Sequence, residues 1–189
     1  MVKAKAKQLY FDILKFKRVI NGKKASIQFM DRIKYPRLVL TIDNDQKDNW
    51  FDNSIVAPLT REELISLASL IKFVSKSQDD CVYKLNCKNV IWDKEKNEPT
   101  ENKYTQGIIE VGKKNGIVYL GMSAPEKGVF RFSFGTDKDW HTVTVDDNTS
   151  TDKLMSVLKS RGEASVLLNM VAILEVNDAE AYYQLKKDS

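Results

Sequence analysis

Two Asn-Gly dipeptides, Asn21-Gly22 and Asn115-Gly116, sit beside runs rich in β-branched and aromatic residues. Both residue types tolerate the positive φ that a two-residue hairpin turn demands, so the chain is expected to fold back on itself antiparallel at each. After the first, residues 24–29 alternate strictly. Ala25, Ile27 and Phe29 fall on one face, and Lys24, Ser26 and Gln28 on the other. Residues 9–20 supply the partner strand. The opening is therefore a hairpin with one wet, basic face.

The same reading continues along the chain. Tyr35-Pro36 is a break, 37–42 a third strand, 43–53 a polar loop interrupted by Trp50-Phe51, and 54–57 a short fourth strand. Thr60 is a good helix N-cap, and Glu63 three residues on completes a capping box. Leu64, Leu67, Leu70, Ile71 and Val74 recur at helical spacing, with the end near Ser75–Ser77. The order then recurs. Residues 81–87 read as a strand and 88–103 as a charged loop around Trp92. Strands are expected at 107–111, 117–122, 129–134 and 141–145. Phe130, Phe132 and Phe134 share one strand face and are assigned to the core. A helix over 152–159, capped by Ser150 or Thr151, is expected to stop at Gly162. An apolar helix at 163–175 follows, with 178–187 either extending it or following it. The expected fold class is α+β. Two β-β-β-β-α repeats, 8–77 and 81–175, form two antiparallel sheets with helices packed between them, plus a C-terminal helical extension. No linker intervenes, so 1–189 is read as a single domain.

Charge is distributed unevenly. The whole chain carries a net +4, yet the first 37 residues hold eleven Lys or Arg against Asp12 and Asp31, a local net of +9. Such a segment attracts a polyanion, and nucleic acid is the usual one. With 42% hydrophobic residues there is enough apolar material for a core. No apolar run reaches the ~18 residues of a membrane span, and the basic start lacks a secretory apolar stretch. The expectation is a soluble intracellular protein, in cytoplasm or nucleoid, or in host cytoplasm if the source is viral.

Catalytic chemistry finds little support. Two Cys and one His remove most metal sites and nucleophile–histidine arrangements. Cys81 and Cys87 lie six apart on one strand and read as buried thiols in a reducing compartment. Residues 43–48 begin like a calcium loop, but Lys47 takes the fifth position and no Gly the sixth. The glycines form neither a dinucleotide fingerprint nor a phosphate loop. The chain is expected not to be an enzyme and to need no metal or cofactor.

Aromatics interleave with the basic residues of the opening segment. Lys15, Lys17, Arg18, Lys23, Lys24, Arg32, Lys34 and Arg37 are candidate phosphate contacts. Tyr10, Phe16, Tyr35 and Trp50 are candidate stacking rings. A single strand exposes its base faces, and each base stacked on an aromatic gains ~1–3 kcal/mol; a duplex hides those faces.

The β-β-β-β-α unit occurring twice, with a lysine-rich turn before the second strand, resembles the Whirly single-stranded-DNA-binding family. That fold is shared with the positive-cofactor-type transcriptional coactivators and with phage homologues. The family's signature is a KGKAAL-like stretch; Gly22, Lys23 and Ala25 match it, and Asn21, Lys24 and Ser26 depart from it. The resemblance would cover roughly residues 8–175. It implies sheets packed near-perpendicularly, helices holding protomers in a symmetric homo-oligomer, and sequence-tolerant binding of single-stranded DNA along sheet edges. In this chain helix 163–175 would be the assembly surface, Val166, Leu167, Met170, Val171 and Leu174 forming one stripe that Leu168, Ala172 and Ile173 widen; the alternative is burial of the stripe inside the subunit. No transit peptide is evident, which speaks against an organellar home.

The leading expectation is a sequence-tolerant single-stranded-DNA-binding protein acting in replication, recombination or transcription. The alternatives are an RNA-binding module, a protein-interaction or virion structural subunit, and a nuclease using Asp43, Asp45 and Asp48.

Overall fold

The structure is a computed structural model that describes residues 54–93, 95–125, 127–135 and 152–176 in full. It gives the backbone course alone for Phe16–Ile20, Lys23–Met30, Arg37–Asp43 and 177–187. Ten elements follow in order: β1 (Phe16–Ile20), β2 (Lys23–Met30), β3 (Arg37–Asp43), β4 (Ser54–Pro58), α1 (Arg61–Lys76), β5 (Cys81–Asp93), β6 (Glu98–Lys114), β7 (Ile117–Ala124), β8 (Gly128–Ser133) and α2 (Asp152–Lys187). The protein is α+β, with antiparallel strands and, among the described residues, two helices. β1 to β4 pair in sequence order, and so do β5 to β8. The expected strand at 141–145 and the cap at Ser150 or Thr151 lie outside the described residues, as does the first half of the 9–20 strand.

Local chemistry explains the sharpest boundaries. At the start of α1 the Glu63 N–H donates to Thr60 Oγ1 at 3.2 Å, and the Thr60 N–H donates to Glu63 Oε2 at 2.7 Å. The reciprocal pair satisfies two of the donors a helix start leaves orphaned. At the other end Lys113 Nζ donates to the Ser77 carbonyl at 2.6 Å, placing a cation against the negative pole of the helix. The β6–β7 turn is the expected Asn-Gly hairpin: Asn115 has φ 53° and Gly116 φ 81°. The Asp80 carboxylate accepts from both turn amides, at 2.8 and 3.4 Å.

The core lies between one face of the β5–β8 sheet and the two helices. Alternation sends Leu85 and Cys87, Ile109 and Val111, Val118, Leu120 and Met122, and Phe132 and Phe134 to that face. Phe132 and Phe134 are each 1% exposed, as the sequence indicates for this stripe, and each burial contributes about 1.5–3 kcal/mol. Leu64, Leu67, Ala68, Ile71 and Val74 of α1 close the core from above. α2 reaches it with Ser156, Ser160, Ala164, Leu167, Met170, Val171 and Leu174. Small residues in its first turns let the helix approach β7, where Ser156 Oγ accepts from Val118 N at 2.8 Å. Arg161 Nε donates to Ser75 Oγ at 3.0 Å, and Arg61 Nη1 pairs with Glu175 at 2.7 Å. The end of α1 thus meets the early part of α2 and its start meets the late part, so the two helices are antiparallel. Gly107 of β6 abuts the Val56 carbonyl of β4, and Lys127 Nζ donates to the Ser54 carbonyl at 2.9 Å.

Three expectations are corrected. Residues 88–103 are not a loop: β5 and β6 run on as a long hairpin, with Trp92 opposite Pro99 and Asp93 opposite Glu98. Polar side chains hold it where β-propensity is low. Asn89 Nδ2 donates to Gln106 Oε1 at 3.0 Å, and Asp93 Oδ1 accepts from the Glu95 and Lys96 amides of the tip. Gly162 is not a helix stop but lies within the 36-residue α2, which runs on through 178–187. Packing of the flanking Ser160, Ala164 and Leu167 outweighs the ~1 kcal/mol a mid-helix glycine costs. The stripe assigned to assembly is mostly interior: Leu167, Met170, Val171 and Leu174 are buried within the chain, and Val166 alone of that set is exposed. Among the described residues no helix is long and apolar enough to cross a membrane.

Candidate nucleic-acid interface

Of the candidate contacts in the opening segment, Phe16, Lys17 and Arg18 lie on β1, Lys23 and Lys24 on β2, and Arg37 at the start of β3. The backbone register sets Lys17 opposite Ser26, Arg18 opposite Ala25, Val19 opposite Lys24 and Ile20 opposite Lys23. Four basic positions therefore occupy one short ladder but not one face: Lys17 and Lys24 fall on one, Arg18 and Lys23 on the other with Ala25, so the expected single basic face holds only for Lys17 and Lys24. Arg37 pairs with Met30, at the far end of β2 from Lys24. Tyr10, Lys15, Arg32, Lys34, Tyr35 and Trp50 lie outside the described residues, and so do His141, Asp45 and Asp48.

A second basic surface, which the sequence reading missed, is on the face of β5–β8 turned away from the helices. Strand alternation brings Val82, Lys84, Asn86 and Lys88 of β5 to this face, with Glu110 and Lys114 of β6, Tyr119 of β7, and Val129 and Arg131 of β8. Lys84, Lys88, Lys114 and Arg131 are all exposed. Lys84 and Lys88 stand four residues apart along β5, about 13 Å at ~3.3 Å per residue, and Lys114 lies just beyond the start of β5, level with Asp80. Within 81–92, 103–114, 117–124 and 128–133 the one acid is Glu110, and it is 1% exposed.

Glu110 belongs to a row that crosses all four strands: Lys84 opposite Glu110, Glu110 opposite Gly121, Gly121 opposite Arg131. Its carboxylate accepts from Arg131 Nε at 2.9 Å and pairs with Arg131 Nη2 at 2.9 Å and Lys84 Nζ at 3.4 Å. A buried carboxylate is tolerated only when charge and hydrogen bonds offset its lost hydration, and the two cations do this from their half-exposed positions. What solvent meets is the outer surface of the cations rather than the acid.

Glycines shape the same face. In the next row, Val82–Gly112–Tyr119–Ser133, a Cβ on Gly112 would overlap the Tyr119 phenol. The ring therefore lies across the glycine. Tyr119 is 6% exposed, and burial pushes its hydroxyl above the ordinary tyrosine pKa while the neighbouring Arg131 pulls it back. The Arg131 guanidinium sits over this ring, 5.5 Å from its centroid, within the range of a cation–π interaction.

Other exposed apolar groups lie elsewhere. Phe73 of α1 and Tyr83 of β5 meet edge to face at 5.7 Å, with Phe73 60% exposed. Trp92 and Tyr104 stand on the β5–β6 hairpin, and Leu158, Val166, Ile173 and Val176 line the outside of α2. Cys81 is half-buried and Cys87 buried, both as free thiols. Among the described residues no group of three or more His, Cys, Asp or Glu is placed to hold a metal ion.

The cationic face was hidden by averaging: residues 61–189 together are slightly acidic. The usable signal was the even-numbered alternation Lys84, Asn86, Lys88 and the nearly acid-free strands. Among the described residues the other acids of this half sit before β5 (Asp79, Asp80), around the hairpin tip (Asp93, Glu95, Glu98, Glu101) and on the helices. Comparison with protein-family models, curated proteins and solved structures finds no match to this chain.

Proposed function

We propose that this chain binds single-stranded nucleic acid, DNA foremost, with little sequence preference, in replication, recombination or transcription. The observation that carries the reading is the β5–β8 face, on which Lys84, Lys88, Lys114 and Arg131 are exposed, while Glu110 between them is buried and paired with two of them and the exposed Asp80 lies at the edge beside Lys114. Exposed cations at intervals along extended strands are what a polyphosphate backbone needs. On the β1–β2 ladder the positions of Lys17 and Lys24 share one face and add a second, smaller cationic stretch, whereas Arg18 and Lys23 fall on the opposite face with Ala25. The order of four strands and a helix, twice, is compatible with two repeats of the Whirly-like kind and with a homo-oligomer. The reading requires no catalytic group and no cofactor.

A salt titration with fluorescent single- and double-stranded oligonucleotides tests it. Three phosphate contacts to a single strand, from Lys84, Lys88 and Lys114, lower affinity roughly 20-fold between about 50 and 200 mM salt. The single strand should bind tighter than the duplex. Affinity indifferent to salt, or no binding at low salt, rejects the proposal. Competition by a matched RNA separates DNA from RNA preference, since the 2′-hydroxyl is what distinguishes them.

A second reading, a protein-interaction subunit, draws on the exposed Leu158, Val166, Ile173 and Val176 of α2. These recur along one helix face. It is favoured if the chain self-associates but ignores oligonucleotides.

A further inference from the structure

We propose that Arg131 contacts nucleobases, as a fixed planar platform rather than as one more phosphate-binding charge; this rests on the single-strand reading above. Three features set it apart from Lys84, Lys88 and Lys114. Its guanidinium is held at two nitrogens, Nε and Nη2, by one oxygen of a carboxylate that is itself 1% exposed. It is seated over the Tyr119 ring. Its path across the sheet is cleared by Gly121, where a Cβ would come within 3.2 Å of Arg131 Cγ and 3.1 Å of the Phe130 carbonyl.

A phosphate-binding arginine gains from freedom to follow a mobile backbone. An arginine whose ε and η nitrogens are spent on a buried acid has given up part of its hydrogen-bonding fork, and its charge is partly offset by that acid, which Lys84 shares. What it keeps is an oriented flat cation with 51% of its side chain exposed. Guanidinium planes stack on unpaired bases, and the surface beside this one is apolar: Val129, two residues away on the same face, is 47% exposed. Glu110 is then a positioning residue, and its negative charge is the cost of holding the plane still. The occupant is a base of a single strand, because a duplex keeps its base faces stacked internally.

The experiment compares the full chain and its Arg131→Lys variant on two oligonucleotides of equal length, one normal and one with several abasic sites. Lysine keeps the charge and loses the plane. The expected result is a loss of about fivefold or more for Arg131→Lys on the normal strand, matching one stacking contact, with little change on the abasic strand and the same salt slope. Equal losses on both strands, or none on either, overturn the platform. Glu110→Gln sharpens the test, since removing an acid from a cationic face tightens a purely electrostatic binder. A fewfold weakening on the normal strand supports the platform; tightening on both strands overturns it. Photocrosslinking of a 5-iodouracil strand to the unaltered protein needs no variant. Crosslinks within 119–131 are expected, and crosslinks confined to other segments count against the proposal. If the parent binds no single strand at low salt, the broader functional reading fails and takes this one with it. Binding without the base-dependent difference rejects the platform alone.

Discussion

Arg131 reaches Glu110 across a residue with no side chain. Gly121 stands between them in the cross-strand row, and the arginine lies over it to place Nε and Nη2 each 2.9 Å from the buried carboxylate. Gly121→Val fills that passage, meeting Arg131 Cγ, the Phe130 carbonyl and Glu110 Cβ. The expected cost is about 1–3 kcal/mol from overpacking alone, and more if the acid loses its partner. Urea unfolding measures it, and an unchanged midpoint would show that the row has slack the geometry does not suggest.

Gly162 offers a change of opposite sign. It lies inside α2, and a Cβ built there meets nothing within 4 Å. Gly162→Ala should raise stability by about 0.5–1 kcal/mol, since the unfolded chain loses freedom and the helix gains a better former. A fall in stability would mean that the glycine serves a close contact with another molecule.

Thr60→Ala removes the acceptor for the Glu63 amide and leaves the reciprocal carboxylate bond unsupported. The loss should be ~1 kcal/mol, with Thr60→Ser close to neutral. Thermal melts of the two variants side by side check it.

The two thiols should react very differently. Burial, with the Glu63 charge adding to it, pushes the Cys87 thiol up to about 12. Thiolate is the reactive form, so an alkylating reagent at pH 8 should label half-buried Cys81 first and Cys87 only on unfolding. The raised value has a stability consequence. The folded chain keeps this group protonated while the unfolded chain ionises it near 9, so its contribution is intact below about 9 and is lost progressively between about 9 and 12. Mass spectrometry of labelled peptides, and unfolding midpoints of the native chain and Cys87→Ala across that window, test both statements.

What could be read from the residues was the local part. Thr60 with Glu63 and Asn115 with Gly116 carry their geometry in their own side chains or in their tolerance of positive φ, so neighbours in sequence suffice. The Phe130–Phe132–Phe134 stripe was equally legible, because a strand face repeats every second residue. Residues 88–103 misled because Lys, Glu and Asn in a two-stranded ribbon face water on both sides, leaving no apolar alternation to detect. Gly162 misled because burial of the flanking α2 residues overrides its propensity. The cationic sheet face escaped for a different reason: charge summed over a segment cancels, whereas charge sorted by strand parity does not. Legibility of the candidate site thus stopped at the opening hairpin, and Arg131 could be recognised only once β6, β7 and β8 were in register.

The β5–β6 hairpin outruns its neighbour. β7 accompanies β6 only from Ile108 to Lys114, so among the described residues the stretch toward Trp92 and Pro99 is a ribbon two strands wide. One continuous pair of strands therefore holds two regimes of motion. Amides near Val111 are locked into a four-stranded sheet, while those near Trp92 sit one ladder from solvent and open independently of global unfolding. A protease would nick the tip first, and the two pieces would stay joined through the sheet below it.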